Sequence, residues 1–259
     1  MIEDYLCSKD ANIYFKVIGE GEPILFLHGG PGFSHDYFLP HFLKLADLGY
    51  QLIFMDQRGG GRSVDPYYLE SITIDTLVED IESLRKHLKI SSMHLIGHSF
   101  GGYLAVKYAM KYEEHLNKMI LCNCASFDQR LVMKGDEIRN QRMLECGNPL
   151  MAFFYDKSQM ELLDPGPYFM NGDYYEYTSK KLGEECFNSL EKMNAVNTNV
   201  PCLILHGEYD FIPQEASAQL AEKLQNSELY TVRDAGHFSF IEKRDEVIEK
   251  IETFLQEEL

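Results

Sequence analysis

One serine stands where it could act as a nucleophile: "LIGHSFGG" at residues 95–102 leaves an apolar run through Gly97-His98-Ser99-Phe100-Gly101 and enters a helical one. The Gly-x-Ser-x-Gly spacing describes a sharp turn in which glycines remove side chains that would strike the neighbouring strand and helix. A serine held there is presented to its surroundings. Its hydroxyl is a poor nucleophile at neutral pH and needs a histidine to take its proton, with a carboxylate to fix that histidine's tautomer. A loop containing two glycines and a serine would carry the same letters, so the partners decide its meaning.

In an open parallel sheet, reactive groups gather just beyond the carboxyl ends of the strands. After the expected strand ending at Leu205 comes "HGEYDFIP", with Glu208 and Asp210, and after the one ending at Val232 comes "RDAGHFSF", with His237. The catalytic candidates are therefore Ser99, Asp210 and His237, in that chain order, with Asp128 as the weaker candidate for the acid. A negative oxygen also develops in such chemistry and needs donors already facing it. "LFLHGGPGFSHDYF" places three glycines around Pro31, so the oxyanion hole is expected from the N–H groups of Gly30 and Phe100. The reversal required there predicts a cis Gly30–Pro31 bond, and His28, Gly29, Phe211 and Phe238 are expected to line the substrate pocket. A phosphate cradle in this turn or in "RGGGR" at 58–62 fails on spacing, because neither ends in Gly-Lys-Ser/Thr and the first lacks the third glycine of a dinucleotide site.

The elements that must carry these residues alternate. Short β-rich runs at 12–17, 24–27, 51–55, 94–96, 119–122, 202–205 and 229–232 are separated by longer stretches of helical period, the pattern of a mostly parallel sheet with helices on both faces. Leu77, Ile81, Leu84 and Leu88 make one apolar stripe behind Thr73 and Asp75. Further helices are expected at 100–112, 214–224 and 245–254. From 126 to 197 the alternation stops in an aromatic-rich stretch with turn signals and no convincing strand, longer than a connection requires. It reads as an inserted helical cap over the site, with 1–125 and 198–259 forming the core domain.

Composition excludes other classes. The 259 residues are 45% hydrophobic and 25% charged, ordinary for a globular α/β chain. A formal charge of −17 repels phosphate backbones and anionic lipid, so neither nucleic acid nor membrane is an expected partner; a small molecule or short peptide is. The acidic start "MIEDYLCSKD" lacks the basic and apolar segments of a secretory signal, so a cytoplasmic location is expected. Six cysteines show no Cys-x-x-Cys pair, no His-Glu-x-x-His occurs, and no metal or cofactor is expected. Cys122 and Cys202 read as small buried hydrophobes.

Taken together, "HGGPG" at 28–32, "DQRGGGRS" at 56–63, "GHSFGG" at 97–102, "HGEYD" at 206–210 and "GHF" at 236–238 resemble the α/β-hydrolase superfamily, and within it the proline iminopeptidase branch of serine peptidases. The resemblance implies the α/β-hydrolase fold with a small helical cap after the sixth core strand. It makes Ser99 the nucleophile, Asp210 the acid, His237 the base and the Gly30 and Phe100 amides the oxyanion hole, with Asp56, Gln57 and Arg58 shaping the adjacent loop. Two departures stand out. Some members place a glutamate directly after the acid to hold the substrate amine, where this chain has Phe211, and the chain is shorter than usual, mainly in the cap. Glu137, Glu145, Glu161, Asp164, Asp173, Glu176, Glu184 and Glu185 remain as cap acids, none singled out as an amine anchor. The implied activity is acyl-enzyme hydrolysis of N-terminal residues or small amides. The alternatives are small esters or lactones with the same triad, and a non-catalytic receptor on the same fold. Epoxide and haloalkane hydrolases of this fold use an aspartate where Ser99 stands.

Overall fold

The computed structural model describes residues 1–64, 66–170, 172–187 and 196–257. Eight strands form one sheet: β1 (Ile2–Ser8), β2 (Ala11–Ile18), β3 (Glu22–Leu27), β4 (Tyr50–Met55), β5 (Met93–His98), β6 (Leu116–Cys122), β7 (Cys202–Gly207) and β8 (Ser227–Val232). Their order is β1-β2-β4-β3-β5-β6-β7-β8, with β1 and β2 antiparallel to their neighbours and the rest parallel. The central strands are apolar on both faces. In β3, Ile24 and Phe26 pack into one core while Leu25 and Leu27 pack into the other, as expected for parallel strands covered by helices on each side.

The helices that cover the sheet include α1 (Ile74–His87) and α2 (Phe100–Tyr112) on one face. Leu77, Ile81 and Leu84 of α1 are buried there. Thr73 caps α1: its hydroxyl accepts from the Thr76 N–H at 3.1 Å, and the Thr76 hydroxyl accepts from the Thr73 N–H at 2.9 Å.

Between β6 and β7 the described residues contain no strand. They form α3 (Gln129–Glu145), two 3₁₀ segments at Pro149–Phe153 and Lys157–Leu162, and α4 (Gly172–Phe187). Residues 171 and 188–195 of the expected cap lie outside the described residues. The chain closes with α5 (Gln214–Lys223) and α6 (Arg244–Gln256). Lys118 Nζ donates to the carbonyls of Phe254, Leu255 and Glu257, capping the end of α6.

The sequence pattern placed seven strands, and β1 is the eighth. It pairs with β2 at the sheet edge and makes Leu116–Cys122 the sixth strand, so the helical excursion does follow the sixth. Strand order reverses between β3 and β5, since β4 lies to one side and β6 to β8 lie to the other. A ligand crevice belongs outside the carboxyl ends at such a switch point, and there the chain delivers both His28–Gly30 and Ser99.

Candidate active site

Ser99 links β5 to α2 with φ +54° and ψ −117°, a conformation that L residues rarely hold without support. The glycine spacing explains how the turn fits. A Cβ on Gly97 would overlap the Gly101 carbonyl, one on Gly101 the Leu27 carbonyl at the end of β3, and one on Gly102 the Cys124 side chain. The Ser99 backbone is tied on both sides, its N–H donating to the Cys122 carbonyl at 3.0 Å and its own carbonyl accepting from Ala125 N–H at 3.0 Å.

Beyond β7 and β8, His237 Nδ1–H donates to both carboxylate oxygens of Asp210, at 2.9 and 3.1 Å. Asp210 also accepts from Asn123 Nδ2 at 2.8 Å and from the Ile212 N–H at 3.1 Å. Burial pushes the Asp210 carboxyl upward, but the His237 and His206 charges and these hydrogen bonds outweigh it and hold the group below its ordinary range. An ionised Asp210 keeps the His237 proton on Nδ1 and leaves Nε2 able to accept one. Ser99 and His237 border the same narrow space. The structure holds no hydrogen bond between them, a contact that commonly tightens only with substrate bound. Asp128, the alternative acid, caps α3 by accepting from the Arg130 N–H at 2.9 Å, pairs with the Arg130 guanidinium at 2.6 Å, and has no hydrogen bond or ion pair to His237.

The turn after β3 contains the expected cis Gly30–Pro31 bond, and Gly30 has φ +119°. Among the described residues, neither the Gly30 nor the Phe100 N–H meets a protein acceptor, so both are available to a ligand oxygen. Phe100 contributes backbone alone, because its ring is buried in the core beneath α2.

His28 and Gly29 do not line the cavity as expected. The chain leaving β3 turns the His28 ring inward, where its Nε2 accepts from the Gln57 N–H at 2.9 Å and its Nδ1–H donates to the Gly29 carbonyl at 2.8 Å. Full burial holds this imidazole neutral, with a pKa pushed down to about 4. Asp56 stiffens the same loop by accepting from the His35 and Arg62 N–H groups, each at 2.8 Å.

Several residues that carry the geometry had no assigned role in the sequence reading. Asn123, at φ +50°, directs one amide hydrogen to Asp210 and another to the Gly236 carbonyl, 3.1 Å away, and its Oδ1 accepts from Ser239. A second chain runs beneath the site. The His237 carbonyl can only accept, so His98 Nε2–H donates to it at 2.9 Å. Burial, then the His237 charge, keeps His98 neutral, so its Nδ1 accepts from the Tyr37 hydroxyl at 2.8 Å. Tyr37 Oη in turn accepts from the Gly29 N–H at 2.7 Å. One directed path thus joins the Gly29–Gly30 turn, the Ser99 elbow and the His237 loop.

The cavity has a main chamber of about 340 Å³. Its walls come from the elbow, from Phe211 and Ile212 after β7, and from Leu131, Val132 and Tyr175 of the excursion. An inner part lies between Ser99, His237, Phe211, Phe153 and Phe238. The cap acids named from sequence do not border it among the described residues, and the Asp173 side chain lies outside them. Asp136, not among those candidates, does border it, paired with Arg139 at 2.9 Å.

A doubly covered sheet with a strained serine turn at its switch point and a hydrogen-bonded His–Asp pair beyond β7 and β8 is the architecture of an α/β hydrolase. The chain belongs to the family described as alpha/beta hydrolase fold, which matches residues 22–244. It resembles the proline iminopeptidase branch. The Saccharolobus solfataricus proline iminopeptidase is 29% identical across 98% of this chain and 92% of that protein. The Thermoplasma volcanium proline iminopeptidase is 30% identical across 94% and 93%. Among solved structures, an esterase from Exiguobacterium antarcticum superposes with a TM-score of 0.79 at 23% identity, over 99% of this chain and 100% of that one.

Proposed function

We propose that this protein is a serine hydrolase working through an acyl-enzyme. The observation that carries the reading is the buried His237–Asp210 pair, whose imidazole borders the same space as the strained serine. His237 Nε2 takes the Ser99 proton as Oγ attacks the substrate carbonyl, and the resulting oxyanion is held by the Gly30 and Phe100 N–H groups. His237 then gives that proton to the leaving group as the bond to the carbonyl carbon breaks. Water repeats the sequence on the ester, releasing the acid and restoring the serine. The described residues between 126 and 187 act as the lid, with α3 and α4 lining the cavity. Cys7, Cys122, Cys124, Cys146 and Cys202 are free thiols, which fits work in the cytoplasm. Among the described residues, no helix is long and apolar enough to cross a membrane.

Small carboxylic esters are the substrates the cavity fits best. A free N-terminal ammonium needs surplus negative charge beside it, whereas Asp136, the acid that lines the main chamber among the described residues, stands beside the Arg139 cation, which repels an ammonium. Release of N-terminal residues is the second reading, favoured by the similarity to proline iminopeptidases. Purified protein given p-nitrophenyl butyrate and proline p-nitroanilide should turn over the ester with a kcat/KM at least about tenfold higher, a difference of roughly 1.4 kcal/mol in transition-state binding. Faster release from the anilide would install the peptidase reading instead.

A further inference from the structure

We propose that Arg139 gives the cavity a carboxylate subsite, so that the preferred substrate is an ester whose acyl chain ends in an anionic group. The inference rests on Ser99 acting as the nucleophile and adds the chemical class of the acyl group.

Helix α3 carries four cations that reach its surroundings, and three are engaged away from the cavity. Arg130 pairs with Asp128 at 2.6 Å, Lys134 pairs with Glu215 at 2.8 Å, and Arg142 donates to the Tyr209 carbonyl at 2.6 Å while lying 3.8 Å from the centroid of its ring. Arg139 alone of the four borders both the main chamber and the inner space shared by Ser99 and His237. Its guanidinium carbon lies 5.5 Å from the Phe211 ring centroid, a contact that anchors the cation beside the residue following the acid.

Its protein partnership is thin. One Nη2 contact to Asp136 Oδ1 at 2.9 Å is its ion pair, and Nε and Nη1 meet no acceptor among the described residues. A guanidinium offers five N–H donors in a planar fork that matches a carboxylate two at a time. Asp136 is 46% exposed at its side chain, so water screens what it offers Arg139. Asp210, the other nearby acid, is fully buried and committed to His237 and Asn123. Leu131, Val132, Phe211 and Ile212 supply an apolar wall for the methylenes between a scissile carbonyl and a terminal carboxylate. On a chain of net charge −17, a cation with open donors inside the cavity is a local exception to the prevailing field.

The test compares two six-carbon acyl chains, p-nitrophenyl hexanoate and the p-nitrophenyl monoester of adipate, which end in a methyl and in a carboxylate. The ratio of kcat/KM, adipate over hexanoate, should fall about 10-fold to 100-fold in Arg139→Gln, the scale of one charge-assisted hydrogen-bonded contact, and Arg139→Lys should recover part of it. Free adipate should likewise protect Ser99 from a fluorophosphonate at lower concentration in the native protein than in Arg139→Gln, which decides the matter if ester turnover is too slow to rate. A ratio and a protection that Arg139→Gln leaves unchanged would overturn the subsite. Labelling at Ser99 in the native protein is read in the same samples. Its absence overturns the nucleophile assignment and the subsite with it, whereas labelled protein with an unchanged ratio overturns the subsite alone.

Discussion

Replacing Ser99 with alanine should lower ester turnover by about 10⁶-fold and abolish labelling by a fluorophosphonate, because the bond that defines the acyl-enzyme can no longer form. The substitution isolates chemistry from folding unusually well. The Ser99 hydroxyl makes no hydrogen bond to a described residue, so no buried partner is orphaned by its removal. The strain at φ +54° is shared by any residue bearing a Cβ, and alanine inherits it unchanged. Chemical denaturation should therefore show a stability change within about 0.5 kcal/mol of the native protein. A folded Ser99→Ala protein that still hydrolyses the ester at the native rate would remove Ser99 from the mechanism.

The next largest effect is expected at Asp210, where asparagine should cost roughly 10⁴-fold in kcat. The carboxylate now accepts from His237 Nδ1–H, Asn123 Nδ2 and the Ile212 N–H. An amide keeps one accepting oxygen and must turn its NH₂ toward one of these donors. The arrangement that spares Asn123 makes His237 accept at Nδ1, which moves the imidazole proton to Nε2 and leaves nothing to take the proton of Ser99. Asp210 is held below the usual carboxylate range and is ionised in the native protein at neutral pH, so the native rate should not fall through loss of this carboxylate until the pH drops below that range, and no rise in pH can give the amide the missing charge. Asp128→Asn is the matched control. Asparagine is as good an N-cap as aspartate, so that change should leave turnover close to native. A crippled Asp128→Asn beside an active Asp210→Asn would reverse the assignment of the acid.

How much of this was legible in the sequence depends on whether a feature is local. The central strands announce themselves because residues such as Ile24 to Leu27 are apolar on both faces, and α2 is bounded by the elbow that starts it. Strand β1 stayed hidden because only Leu6 and Ser8 of its seven residues are buried, so "IEDYLCS" has no alternating apolar face. Ser99, Asp210 and His237 each sit in a short turn just past a strand, and the chemistry of a serine nucleophile says which partners to seek. Tyr37, His98 and Asn123 could not be assigned that way. Their partners are 8, 139 and 87 residues away, and only the folded sheet brings them together. Asn123 left one trace, a residue type that tolerates a left-handed backbone directly after a buried strand. His28 lies two residues before Gly30, yet its ring turns inward onto the Gln57 N–H and the Gly29 carbonyl, contacts that nearness in sequence does not reveal. Asp136 carries no sequence mark that separates it from the cap's many acids, and Arg139 none that separates it from the other cations of α3.

The most direct measurement is to acid-quench native protein during turnover of p-nitrophenyl butyrate, digest it, and weigh the peptides. The account predicts an added butyryl mass on the peptide containing Ser99, localised to that residue by fragmentation and absent from Ser99→Ala. Steady turnover with the acyl mass carried by another residue would contradict it.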